Sequence, residues 1–200
     1  IENITPKIND IKVGPYNDET SDMGPVVSKD AYDRINGLID SGIEEGANLI
    51  VDRRNIKLQG YENGYFIGPC LFDNVKDNMK IYKEEIFGPV LSIVRAKNYE
   101  EGLQLVKDNP YGNGCSIFTR DGDTARNFSS EANIGMVGVN IPIPVPVAYF
   151  SFGGWKNSIF GGHNAYGMEA IRFYTHTKTI TSKWPEGIRS GAQFTMPTLG

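Results

Sequence analysis

VLSIVRAKNYEEGLQLVKDNPYGNGCSIFTRDGDTARNFSSEANIGMVGVN, residues 90–140, is the stretch whose reading decides the fold. It opens with Val90–Val94, a β-branched run that reads as a buried strand. Asn98, with Glu101 three residues later, has the spacing of a capping box and predicts a helix carrying Leu103 and Val106. Residues 116–119 read as a second strand, Asp121-Gly122 as a turn, and Asp123 as the cap of a helix through Ala125 and Phe128. Met136–Val139 is a third strand. Strands and helices that alternate in this way predict an α/β fold, with helices packed on a largely parallel sheet.

The same alternation extends upstream. Residues 31–45 place Ile35, Leu38, Ile39 and Ile43 on one helical face, and Gly46 follows as a stop. Leu49, Ile50 and Val51 read as a short strand, and Tyr65, Phe66 and Ile67 as an extended segment ended by Gly68-Pro69. Downstream the character changes. IPIPVP at 141–146 lacks a backbone donor at three positions, so an extended loop should leave the strand that ends near Asn140. Phe150, Phe152 and Trp155, spaced by Gly153-Gly154, either line a pocket or cap the core from a surface loop. A helix is expected over 164–173. Residues 175–182 alternate threonine in a β-prone run, and such an exposed strand calls for a partner, for which another subunit would serve.

Composition bounds the function. Two hundred residues, 40% of them apolar, suffice for a real core, and a net charge of −4 offers no basic face for a phosphate backbone. Nucleic acid is therefore not an expected partner. No run approaches the roughly eighteen apolar residues of a membrane span. Cys70 and Cys115 show neither a C-x-x-C spacing nor a neighbouring histidine, which argues against a metal site or a disulfide scaffold. His163 and His176 have no evident nucleophile beside them, and both cysteines read as packing residues. The chain opens at Ile1 in mid-pattern, as a piece of a longer protein would. Taken alone, these residues form no catalytic centre.

KEEIFGPV at 83–90 admits two readings. In one it is a charged turn before a core strand, with Glu84 and Glu85 solvated and Phe87 buried. In the other, the two-residue period of an extended chain puts Glu85 and Phe87 on the same side. A carboxylate that accepts two hydrogen bonds from a vicinal diol, beside a flat apolar ring, would suit the ribose of a nicotinamide cofactor.

Glu85-Ile86-Phe87-Gly88-Pro89-Val90, Asn109-Pro110-Tyr111-Gly112, Asn140 and Phe152-Gly153-Gly154 occur in an order and spacing that resemble the C-terminal portion of the aldehyde dehydrogenase superfamily. Within it, FGGWKNSIFGGHNAYGMEAIRFYT and KWPEGIRSGAQF resemble the CoA-acylating methylmalonate-semialdehyde dehydrogenases, although Gly162 stands where that subfamily more often has an aspartate. The resemblance implies that residues 1–157 belong to the catalytic domain. It further implies that 158–174 form a helix leaning on a cofactor domain, and that 175–200 form an oligomerisation strand and tail. Glu85 and Phe87 would hold the nicotinamide ribose of NAD, and Asn140, Phe150 and Phe152 would belong to the aldehyde pocket.

Neither cysteine matches the family's nucleophile context, so the nucleophile is expected upstream of Ile1 and the chain alone is expected to be inactive. The implied reaction converts methylmalonate or malonate semialdehyde to propionyl- or acetyl-CoA with loss of CO2, as in valine catabolism, with coenzyme A as acyl acceptor. A homodimer or homotetramer, in bacterial cytoplasm or mitochondrial matrix, is implied as well. A non-acylating aldehyde dehydrogenase and a non-catalytic oligomerisation module are the alternatives.

Overall fold

A computed structural model describes residues 1–147 and 149–184. Their packing divides the chain into two compact units, the first ending at Asp108 and the second beginning at Asn109. The division falls inside the segment 1–157 that the resemblance treats as one piece.

The first unit begins with helix α1, Thr5–Asp10, which carries Pro6 in its first turn where no backbone donor is needed. Helix α2, Lys29–Glu44, starts at Ser28, whose side chain accepts a hydrogen bond from the Ala31 amide at 3.1 Å. It ends ahead of Gly46, which takes a φ of +93° that a β-carbon would penalise. Strand β1, Asn48–Val51, leads through an irregular connection into strand β2, Cys70–Val75. Short helix α3, Lys80–Lys83, strand β3, Val90–Val94, and helix α4, Tyr99–Asp108, complete the unit.

The strands form one sheet in the order β1-β2-β3. The β2–β3 pair is parallel, as expected, but β1–β2 is antiparallel. The reason is local. No helix lies between β1 and β2, and residues 52–69 return the chain antiparallel, whereas the 76–89 connection that carries α3 crosses over and sets β3 parallel to β2. Arg54 tethers that turn by pairing with Asp52 at 2.8 Å and with Asp40 on α2.

Both faces of β2 are covered. Cys70, Phe72 and Val75 pack with Ile35, Leu38 and Ile39 of α2, joined by Ile67, Ile81 and Ile86. Leu71, pointing to the other face, packs with Ile8 of α1 and Val51. Burying one such side chain contributes about 1.5–3 kcal/mol, which makes this three-layer stack the anchor of the unit. Strand β2 is not expected from the sequence. Asp73 and Asn74 interrupt its apolar run, yet Asp73 is buried and held by two 2.8 Å bonds from Arg95, and Asn74 takes a left-handed φ of +55° at a shift in register. The segment at Tyr65–Ile67 is buried at Phe66 and Ile67 but joins no sheet.

The second unit contains strands β4, Tyr111–Gly112, and β5, Gly114–Ile117, helix α5, Gly122–Glu131, strands β6, Met136–Val139, and β7, Trp155–Lys156, and helix α6, Glu169–Tyr174. β5-α5-β6 is a parallel crossover unit, while β4 and β7 pair antiparallel. Instead of one largely parallel sheet, the described strands form a mixed three-stranded sheet and two pairs.

Two local expectations need correction. The cap of α5 is Asp121 rather than Asp123, since its carboxylate accepts from the Thr124 amide at 2.6 Å. The helix expected over 164–173 is confined to α6, because Gly167 holds a left-handed φ of +60° that interrupts any earlier turn. Residues 175–184 are exposed and join no strand among the described residues, and the rest of the expected tail, 185–200, lies outside them.

Candidate active-site elements

In the first unit, KEEIFGPV leaves α3 in extended conformation at Glu84, with φ −99° and ψ 134°. Ile86 turns inward, 9% exposed, and packs in the α2 core. The segment is fixed on either side of it. Arg34 Nη1 donates to the Glu85 carbonyl at 3.2 Å, and the Cys70 amide donates to the Pro89 carbonyl at 2.8 Å. Gly88 presses so closely on Ile35 that a β-carbon would lie 2.7 Å from its Cδ1.

With Ile86 buried, Glu85 and Phe87 both face outward. Phe87 is 77% exposed and holds a φ of +50°, so the structure carries an aromatic ring in a strained backbone well without burying it. The reading of Phe87 as a core residue fails. The Glu85 carboxylate makes no ion pair or side-chain hydrogen bond among the described residues, which leaves both oxygens free for a ligand's hydroxyls.

In the second unit the parallel pair β5–β6 ends in a cleft of about 510 Å³ lined by Phe118, Thr119, Arg120 and Asn140. Asn140 stands just past β6 with φ +56°. Its Oδ1 accepts from the Thr119 amide at 2.9 Å, its Nδ2 donates to the Thr119 carbonyl at 3.0 Å, and its own amide donates to the Ile117 carbonyl at 2.8 Å. The side chain thus imitates one more rung of the ladder and holds the strand ends together where the proline-bearing loop departs.

A second cavity, of about 470 Å³, is walled by Phe152, Phe160, Tyr166, Phe173 and Met136, with His163 among its polar lining. Phe152 stacks on Tyr166 with ring centres 4.5 Å apart and planes 18° from parallel. Phe150 lines neither of these two cavities. It is 54% exposed and leans on Tyr149 at 4.4 Å. The structure therefore brings Phe152 to one hollow and Asn140 to another, with Phe150 outside both. Sequence reasoning misses Tyr166, because a tyrosine before a glycine carries no local signal for its ring partner.

Neither cysteine is an exposed, activated thiol. Cys70 is 1% exposed and burial pushes its thiol above the usual range, as burial also does for Cys115. His163 Nδ1 lies 2.8 Å from Glu169 Oε2, and this bond, reinforced by Arg172, holds the Glu169 carboxyl below its ordinary value. Among the described residues no group of three or more His, Cys, Asp or Glu could hold a metal ion. No described helix is long and apolar enough to cross a membrane.

The aldehyde dehydrogenase pattern matches residues 1–180, and the chain belongs to the aldehyde dehydrogenase family. Its relatives narrow the comparison. Malonate-semialdehyde dehydrogenase of Pseudomonas aeruginosa is 52% identical over 200 residues, all of this chain and 40% of that protein. The human mitochondrial methylmalonate-semialdehyde/malonate-semialdehyde dehydrogenase [acylating] is 48% identical over 192 residues, 95% of this chain and 36% of its own length. A Sinorhizobium meliloti protein assigned to the methylmalonate-semialdehyde dehydrogenases, crystallised with NAD, superposes with a TM-score of 0.90 at 63% identity, over 94% of this chain and 38% of that one. The chain thus spans about two-fifths of the length of the relatives it matches.

Proposed function

We propose that this chain is part of an NAD-dependent, CoA-acylating semialdehyde dehydrogenase that converts methylmalonate or malonate semialdehyde to propionyl- or acetyl-CoA with loss of CO2. The observation that carries the reading is the pinned segment that leaves Glu85 and Phe87 exposed while burying Ile86 between them. A free carboxylate beside an exposed ring fits a ribose next to a planar base. NAD, when bound, accepts a hydride from the aldehyde carbon. The role of Glu85 is orientation: by accepting hydrogen bonds from both ribose hydroxyls it fixes the sugar, and Phe87 limits how far the attached ring can swing. Neither residue moves a proton.

The nucleophile is a cysteine contributed by a part of the enzyme outside this chain, because neither Cys70 nor Cys115 stands in the sequence context of the family's nucleophile, and burial raises both thiols. Within this chain, Phe152 provides an apolar wall for the aldehyde, and Asn140 holds the exit of β6 from which the loop toward Phe152 departs. Phe150 takes a peripheral place in the same loop. Residues 158–174 serve as the segment that meets the cofactor domain, and 175–200 as the strand and tail that pair with another subunit in a homodimer or homotetramer. The P. aeruginosa and human relatives together suit either a bacterial cytoplasm or a mitochondrial matrix.

The test is product analysis with the full-length enzyme. Malonate semialdehyde and NAD should yield acetyl-CoA, CO2 and NADH only when CoA is supplied. Free malonate formed at the same rate without CoA would replace this reading with a non-acylating dehydrogenase.

A further inference from the structure

We propose that Tyr166 is a positioning residue that sets the orientation of the Phe152 ring and, through it, the selectivity of the aldehyde pocket. The inference rests on the reading of Phe152 as a wall of that pocket. Two features of the structure leave the Phe152 ring only one well-supported place.

The first is the backbone. Gly135, just before β6, approaches Gly153 so closely that a β-carbon on Gly135 would lie 2.0 Å from the Gly153 carbonyl oxygen. A β-carbon on Gly154 would lie 2.5 Å from the Ser158 Cβ. Gly135, Gly153 and Gly154 therefore seat the main chain just after Phe152 against the start of β6 and the turn after β7, at distances a side chain would not permit. The main chain next to the ring is thus closely packed.

The second is the ring's neighbour. A seated backbone still leaves Phe152 its side-chain rotation, and the near-parallel stack on Tyr166 removes that freedom on one side. Tyr166 is itself held. Gly167, after it, takes φ +60° and lies so near residues 149–151 that a β-carbon would be 2.6 Å from the Ser151 amide nitrogen and 2.7 Å from the Tyr149 carbonyl oxygen. Asn164, before it, donates to Ser151 Oγ at 3.4 Å and fills the space beside Gly153. Residues 149–154 and 164–167 thus meet along their length, with the two rings as the contact that reaches the cavity. A short semialdehyde with a carboxylate gains little from apolar area, so a wall displaced by even an ångström changes which aldehydes reach the reacting position.

The experiment uses the full-length enzyme and steady-state kinetics with malonate semialdehyde and with a longer unbranched aldehyde. Tyr166→Ala should raise KM for malonate semialdehyde about tenfold, leave KM for NAD unchanged, and narrow the preference over the longer aldehyde. Tyr166→Phe, which keeps the ring, should stay within about twofold of the parent. In the Phe152→Ala background, Tyr166→Ala should add nothing further, since both act through one ring. Tyr166→Leu replaces Tyr166→Ala if the latter does not accumulate, with the same expected pattern. Full additivity in the cycle, or an unchanged aldehyde KM in Tyr166→Ala while Phe152→Ala is impaired, overturns the inference alone. An unchanged aldehyde KM in Phe152→Ala overturns the reading of the pocket on which it rests.

Discussion

Two glycines on one helix should respond to alanine with opposite signs. Gly37 and Gly42 both lie inside α2, where glycine costs about 1 kcal/mol relative to alanine. A β-carbon added at Gly37 would meet nothing within 4 Å, so Gly37→Ala should stabilise the protein by about 1 kcal/mol. Gly42 continues the buried stripe of Ile35, Leu38 and Ile39, and its β-carbon would stand 2.7 Å from Ile81 Cδ1 and 3.2 Å from the Phe72 ring. Phe72 is fully buried and Ile81 nearly so, so neither can swing aside without disturbing the layer beneath α2. An extra methyl in a filled core costs about 1–3 kcal/mol, which exceeds the gain in helix propensity and leaves Gly42→Ala about 1 kcal/mol less stable than the parent. Equilibrium urea unfolding should separate the two variants by about 2 kcal/mol, with unchanged m-values. Equal stabilisation by both would refute the packing described between α2, β2 and α3.

The Asn140 clamp gives a second prediction. Asn140→Gly keeps the left-handed backbone but removes both bonds to Thr119, so it should cost about 1–2 kcal/mol in stability, and Asn140→Ala should cost more because it adds backbone strain. Thermal melting that ranks the two the other way would contradict the clamp. The Asp73–Arg95 pair gives a third. Hydrogen bonding from Arg95 lowers the Asp73 carboxyl below its ordinary value, so its contribution is complete above the unfolded value near 3.8 and is lost as pH falls through the lowered one. Asp73→Asn should therefore be less stable than the parent at neutral pH, and the gap should close in acid. A gap that widens on acidification would reverse the assignment.

Some of this is written in local sequence and some is not. The exposure of Glu85 ahead of a buried Ile86 follows from the alternation of an extended chain, the left-handed backbone at Phe87 does not, and the helix faces of α2 and α4 follow from their apolar spacing. Strand β2 is hidden because Asp73 looks like a break until Arg95, distant in sequence, is seen to neutralise it. Helix α6 is shorter than its sequence suggests because Gly167 in isolation resembles any helical glycine, and its left-handed turn is imposed by close contact with 149–151. The strand end at Asn140 is legible from the prolines that follow, yet the side-chain amide is engaged by Thr119, a partner that only the pairing of β5 with β6 creates. Phe152 and Phe150 look alike in sequence and differ because only one has Tyr166 behind it.

Glu85 as the grip on the cofactor's sugar is the central assignment, and NAD titration of the full-length enzyme carrying Glu85→Gln tests it directly. Glutamine keeps the shape and removes the charge, so affinity for NAD should fall by about 1–2 kcal/mol, roughly 5- to 30-fold, with the melting temperature of the free enzyme unchanged. An NAD affinity equal to that of the parent would contradict the assignment.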